Sequence, residues 1–190
     1  MTPTRAVRIL GVSGSLRRGS LNASLLRAAV EVTPSSASLE TGTIRGIPLY
    51  DGDVEAQGIP SAVATLKDQV AGADGLLFVT PEYNNSIPGV FKNAIDWLSR
   101  PPADVPRLFR DRPVAIMGTS PGRFGTLLSQ TAWMPIVRTL GMRPWYGMPL
   151  YVSNANQVFD ASGTLVDPDI RERLKQFMSG YVQFLTSLAR

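Results

Sequence analysis

Ser13-Gly14-Ser15-Leu16-Arg17-Arg18-Gly19-Ser20-Leu21-Asn22 concentrates glycine, serine and arginine between an apolar run and a helical pattern. Glycine lets the backbone bend closely around a ligand. Ser15, Ser20 and Asn22 are hydrogen-bond donors, and Arg17 adds charge-assisted bonds. The helix that follows contributes unpaired N–H groups and the positive end of its dipole. The shared chemistry is capture of one compact phosphate. There is no Gly-Lys-Ser/Thr for a triphosphate loop and no Gly-x-Gly-x-x-Gly for a pyrophosphate. The plainer alternative is a polar loop in which Ser20 or Asn22 only caps the helix. Two arginines and so much serine favour the phosphate.

Two more segments stand out. Thr80-Pro81-Glu82-Tyr83-Asn84-Asn85-Ser86-Ile87-Pro88-Gly89 is stiffened at both ends by proline and offers an aromatic face and amide groups. It could lie along a planar heteroaromatic ring; taken singly, Tyr83 reads equally as loop packing and Asn84 as a turn residue. Gly118-Thr119-Ser120-Pro121-Gly122-Arg123-Phe124-Gly125 is rich in small residues, so its backbone N–H groups could approach a carbonyl or an anionic ring edge.

The chain contains no cysteine and no histidine. Disulfides, thiolate nucleophiles, iron–sulfur centres and His-ligated metals are excluded, and so is a Ser-His-Asp hydrolase. No metal site is expected. An enzyme built from these residues relies on a cofactor for its reactivity. The net charge is +4 and the pI about 9.8, but the arginines are scattered and form no basic run. The excess is read as attraction for anionic small molecules rather than nucleic acid.

The elements that must position these segments alternate strand and helix. Residues 6–13 read as a strand, with Leu21, Leu25, Leu26 and Ala29 on one helical face after it. A weak strand over 37–44 follows. A loop with Pro48, Gly52, Gly58 and Pro60 leads to a helix over 61–72, with Val63, Leu66 and Val70 inward. Residues 74–80 form a near-continuous apolar strand covered on both faces. Val90, Phe91, Ala94, Ile95 and Leu98 line the next helix, which Pro101 and Pro102 stop. A strand over 113–119 precedes a helix over 124–140 that Pro135 interrupts. Residues 145–152 read as an outer strand, where Pro149 can be tolerated. The last helix starts at Asp167-Pro168, with Ile170, Leu174, Phe177, Met178, Tyr181, Leu185 and Leu188 inward.

Five strands alternating with helices imply one doubly wound parallel sheet in a single domain, 1–190. Two strand orders fit: the flavodoxin-like 2-1-3-4-5 and a truncated Rossmann type. In the first, the three unusual segments leave neighbouring strands at their carboxyl ends, where such sheets bind ligands. No apolar stretch is long enough to span a membrane, and Met1–Arg8 leads straight into a strand without the pattern of a signal peptide. A cytoplasmic location is expected.

Gly14–Asn22, Pro81-Glu82-Tyr83-Asn84 and Gly89-Val90-Phe91-Lys92-Asn93-Ala94-Ile95-Asp96-Trp97-Leu98-Ser99-Arg100 together resemble the NADPH-dependent FMN reductase family. Its members include bacterial quinone, chromate and azo reductases. The resemblance runs through nearly the whole chain. It implies a flavodoxin-like three-layer sandwich, a five-stranded parallel sheet in the order 2-1-3-4-5, and one FMN per subunit. It also implies NADPH (or NADH) as co-substrate, a small-molecule electron acceptor, and homodimers or homotetramers.

Carried over residue by residue, Ser15, Arg17, Ser20 and Asn22, with Leu21 between them, would hold the FMN phosphate. Pro81, Glu82, Tyr83 and Asn84 would flank the isoalloxazine ring. Ser120 and Gly122 would close its far edge. Asn85 departs from the family pattern, where tyrosine is frequent, and leaves the outer wall of the acceptor pocket open. Hydride chemistry at the flavin N5 requires no catalytic acid or base from the chain; Glu82 is read as a backbone anchor. Arg18 and Arg123 are either contacts for the phosphates of NAD(P)H or solvated arginines. Trp97 is read as core or subunit interface. The faces carrying Leu98 and 127–140 are expected to meet a second subunit. A flavodoxin-type electron carrier and a flavin-free binding module remain the rivals.

Overall fold

The computed structural model describes residues 5–188, so the reading of Met1–Thr4 lies outside it. Three nearly all-apolar segments form the middle of the sheet: β1 (Val7–Ser13), β3 (Gly75–Val79) and β4 (Pro113–Thr119). Every residue of β3 and β4 is buried, as parallel strands covered on both faces require. With β2 (Ala37–Gly42) and β5 (Arg143–Pro144) the order is β2-β1-β3-β4-β5, all parallel. That is the flavodoxin-like order; the truncated Rossmann alternative is not adopted.

The expected strand over 145–152 does not form as one element. β5 pairs with the start of β4, Pro113 opposite Arg143. A sixth strand, β6 (Tyr151–Val152), pairs with the end of β4, Gly118 opposite Tyr151. Between them Pro149 cannot donate to a ladder, and the chain swings away from the sheet edge before returning.

The helices are α1 (Leu21–Val32), α2 (Gly52–Gln57), α3 (Ser61–Gly72), α4 (Gly89–Leu98), α5 (Val105–Leu108), α6 (Leu127–Thr139), α7 (Ala155–Val158) and α8 (Pro168–Leu188). α2 lies in a stretch read as loop. It forms because Asp51 caps it, its carboxylate accepting from the Asp53 amide at 2.8 Å. α6 starts three residues later than expected, after a turn in which Gly125 has φ +60°. α8 starts where expected, its Asp167 carboxylate accepting from the Ile170 amide at 2.9 Å.

The two-residue period of the strands divides the core between both faces of the sheet. Ile9, Leu77, Val79 and Met117 pack with α1 and α8. Leu10, Val12, Phe78 and Ile116 pack with α3, α4 and α6, where Phe78, Phe91 and Trp133 meet edge-on or tilted. Two residues expected inward are exposed: Val90, in the first turn of α4, and Leu188, at the end of α8. Each sits where its helix has run past the layer it covers. Leu98, expected on a face for a second subunit, is instead buried in the chain's own core.

Candidate functional site

Backbone pairing sets the three loops side by side. Ser13 is opposite Val79 and Val79 opposite Met117, so β1, β3 and β4 end level. The Gly14 amide donates to the Val79 carbonyl and the Thr80 amide to the Met117 carbonyl, both at 2.9 Å. Each loop therefore departs from the next strand, about 4.8 Å away. Gly14 is required there, because a Cβ would sit 2.3 Å from the Phe91 ring. Gly118 is required more strictly: a Cβ would lie 2.0 Å from the Thr80 carbonyl oxygen.

In the first loop, Ser20 is the N-cap of α1 and accepts from the Ala23 amide at 3.2 Å. The first turn of α1 carries no carboxylate, so the positive helix end is not neutralised from within. Ser15 accepts from the Arg17 amide at 3.3 Å, and Leu21 is half-buried against the core. Among the described residues the amides of Leu16, Arg18 and Gly19 take no partner, nor do the exposed guanidinium groups of Arg17 and Arg18. Asn22 is buried and turned inward. Its amide nitrogen donates to the Thr119 carbonyl at 2.9 Å and its oxygen accepts from the Thr119 amide at 3.0 Å. Asn22 thus locks the first loop to the end of β4, which leaves its side-chain amide engaged away from the loop's open face.

In the second loop, Pro81 is buried, and Tyr83 and Ser86 pair backbone to backbone around Asn84 and Asn85. Both asparagines have positive φ, 50° and 60°, a left-handed tight turn that asparagine tolerates best after glycine. The hairpin holds Tyr83 out with its ring half exposed. Glu82 reaches back to the start of α6, accepting from the amides of Leu128 and Ser129 at 2.9 and 3.0 Å. The α6 N-cap residue itself, Thr126, supplies no side-chain bond, so Glu82 caps the helix from another loop. Replacing Glu82 by glutamine keeps the shape and loses the charge at the helix end. The expected cost is about 1 kcal/mol, a Tm lower by about 2–4 °C. An unchanged thermal melt would show that the cap contributes nothing.

In the third loop, the Ser120 hydroxyl donates to the Gly125 carbonyl at 2.6 Å and accepts from the Gly122 amide at 3.2 Å. The Ser120 amide is held by the Val152 carbonyl at 3.0 Å. Ser120 therefore shapes the loop from within, and Gly122 is exposed at its crest. Arg123 and Phe124 project into solvent beside it.

Several polar residues beneath the loops escape sequence reading. The Thr80 hydroxyl bonds the Ser129 hydroxyl at 2.9 Å and accepts from the Trp133 indole at 3.2 Å. The Ser13 and Thr119 hydroxyls are buried with no partner among the described residues. The only available signal was a polar residue closing each apolar strand.

These residues fit a flavin mononucleotide. Unpaired loop amides, two free arginines and an unneutralised helix end suit a phosphate. A half-exposed tyrosine beside glycine-rich backbone suits a planar ring. The orphaned hydroxyls at the ends of β1 and β4 are donors that lack an acceptor. Among the described residues no cluster of acidic side chains could hold a metal ion, and no helix is long and apolar enough to cross a membrane.

Residues 7–157 match the profile of the NADPH-dependent FMN reductase family. The chain is 45% identical to an NAD(P)H-dependent FMN reductase of Pseudomonas aeruginosa, over 90% of each protein. It is 39% identical to a 2-hydroxy-1,4-benzoquinone reductase of Burkholderia, over 95% of this chain and 97% of the relative. Its structure superposes on FerB, a flavoenzyme NAD(P)H:(acceptor) oxidoreductase of Paracoccus denitrificans, with a TM-score of 0.85 at 30% identity, covering 95% of this chain and 98% of FerB. Strand order, loops and sequence agree, and the chain belongs to the NADPH-dependent FMN reductase family.

Proposed function

We propose that this protein is an FMN-dependent NAD(P)H oxidoreductase with quinones as its main class of acceptor; azo compounds, chromate and free flavin are the further candidates. The observation that carries the reading is the first loop, a set of unpaired amides and arginines over an unneutralised helix N-terminus, level with the loop of Tyr83. Bound FMN supplies the chemistry, taking hydride from NAD(P)H and returning electrons to the acceptor.

The chain supplies binding and orientation. Arg17, Ser15 and Ser20, with the amides around Leu21, hold the phosphate. Asn22 contributes by fixing the loop. Pro81, Tyr83 and Asn84 flank the ring, Glu82 anchors their loop to α6, and Ser120 and Gly122 set the backbone at the ring's far edge. One cytoplasmic domain spanning 1–190 carries the activity. A homodimer or homotetramer is supported by Phe124, Leu127, Leu128 and Tyr146, large apolar side chains left exposed around α6. Light scattering that finds only a 20.6 kDa species would remove the oligomer.

The test of the function is the visible spectrum of the purified protein before and after anaerobic NADPH. The expected result is a flavin spectrum that bleaches. A protein that takes up no FMN is a flavin-free module, and one whose flavin stays oxidised is an electron carrier.

A further inference from the structure

A second cationic crevice lies on the other side of β1 from the ring loops. It encloses about 280 Å3 between the β1–α1 loop and the chain that leaves β2. Arg17, Arg18, Arg27 and Arg45 line it and no carboxylate does. None of the four takes part in an ion pair among the described residues, whereas Arg5, Arg107, Arg143 and Arg171 each do. Arg45 is held in place, one guanidinium nitrogen donating to the Leu16 carbonyl at 2.7 Å. Arg27 is held by the Ser24 hydroxyl at 2.9 Å. Each bond occupies one of five donors, so most of each fork remains open. Ser13, whose hydroxyl has no partner, also lines the crevice.

We propose that this crevice is a phosphomonoester site separate from the seat of the flavin phosphate, and that it takes the 2′-phosphate of NADPH. The inference rests on the function proposed above. Four positive charges without a counter-ion repel one another, and a dianionic phosphomonoester relieves that repulsion while satisfying two planar forks. Position selects the source. β2 stands three strand spacings, about 14 Å, from β4. A nicotinamide placed at the ring loops would put the far, adenosine end of an extended dinucleotide at that distance. NADH lacks the 2′-phosphate, so Arg27 and Arg45 are specificity-determining residues for the electron donor.

The test uses Arg27→Gln, Arg45→Gln and the double variant. Glutamine keeps a donor for the Ser24 hydroxyl or the Leu16 carbonyl and removes the charge. In the FMN-loaded enzyme the double variant should raise KM for NADPH about tenfold or more. Its kcat, its KM for NADH and its Kd for FMN should stay unchanged. By calorimetry, 2′,5′-ADP should bind the parent protein more tightly than 5′-AMP, and the double variant should lose that difference. A rise in the FMN Kd would identify the crevice as the flavin's own phosphate seat and overturn the proposal. Equal shifts for NADPH and NADH, or no shift for either, would also overturn it. If neither nucleotide reduces the flavin, the proposed function fails; the comparison of 2′,5′-ADP with 5′-AMP then still decides whether the site exists.

Discussion

Arg17→Ala raises the Kd for FMN about 30-fold, the loss of about 2 kcal/mol expected for a charge-assisted bond to phosphate. Arg17 is exposed, pairs with no carboxylate among the described residues, and stands in a loop whose amides are also unpaired. Its removal therefore breaks nothing in the protein itself, and the thermal stability of the flavin-free protein should stay the same. Fluorescence titration of FMN into the stripped protein measures the effect. Raising the salt concentration should weaken the parent and narrow its advantage over the variant, because an exposed charge is screened. An unchanged Kd would remove Arg17 from the phosphate site.

Asn22→Ala costs about 3 kcal/mol of stability. The side-chain amide satisfies both backbone groups of Thr119 at 2.9 and 3.0 Å in a buried setting. Alanine leaves that N–H and C=O without partners, at about 1–3 kcal/mol each. For a chain of this length the Tm should fall by roughly 6–12 °C. The variant also frees the first loop from the end of β4, so FMN binding weakens as a second effect. This outcome separates two roles. A direct phosphate ligand would lose affinity with the flavin-free protein as stable as before; a clamp loses stability first. A flavin-free melt identical to the parent's would refute the clamp.

Much of the fold was legible in the sequence because a doubly wound sheet buries its central strands on both faces. The apolar runs at 74–80 and 113–119 admit few other readings, and the Asp167-Pro168 start of α8 follows directly from capping. The strand over 145–152 was misjudged because pairing at a sheet edge depends on which β4 groups remain open. Residues 143–144 and 151–152 meet opposite ends of β4, and no local pattern encodes that division. α2 was missed because a six-residue helix depends on its cap and leaves too short an apolar period to detect.

The sequence by itself determined that the reactivity had to come from a cofactor, since neither histidine nor cysteine is present. It also determined where that cofactor's loops begin, since glycine, serine and arginine gather at the ends of apolar strands. Only the tertiary structure decided which side chains face the open crevice and which hold the frame. Asn22, Glu82 and Ser120 look like ligands in one dimension. Folded, they bond the Thr119 backbone, the start of α6 and the Gly125 carbonyl. The physical reason is that a buried backbone group needs a partner, and the nearest one lies as many as 97 residues away along the chain. Strand order brings such pairs together, and spacing along the sequence carries no trace of it.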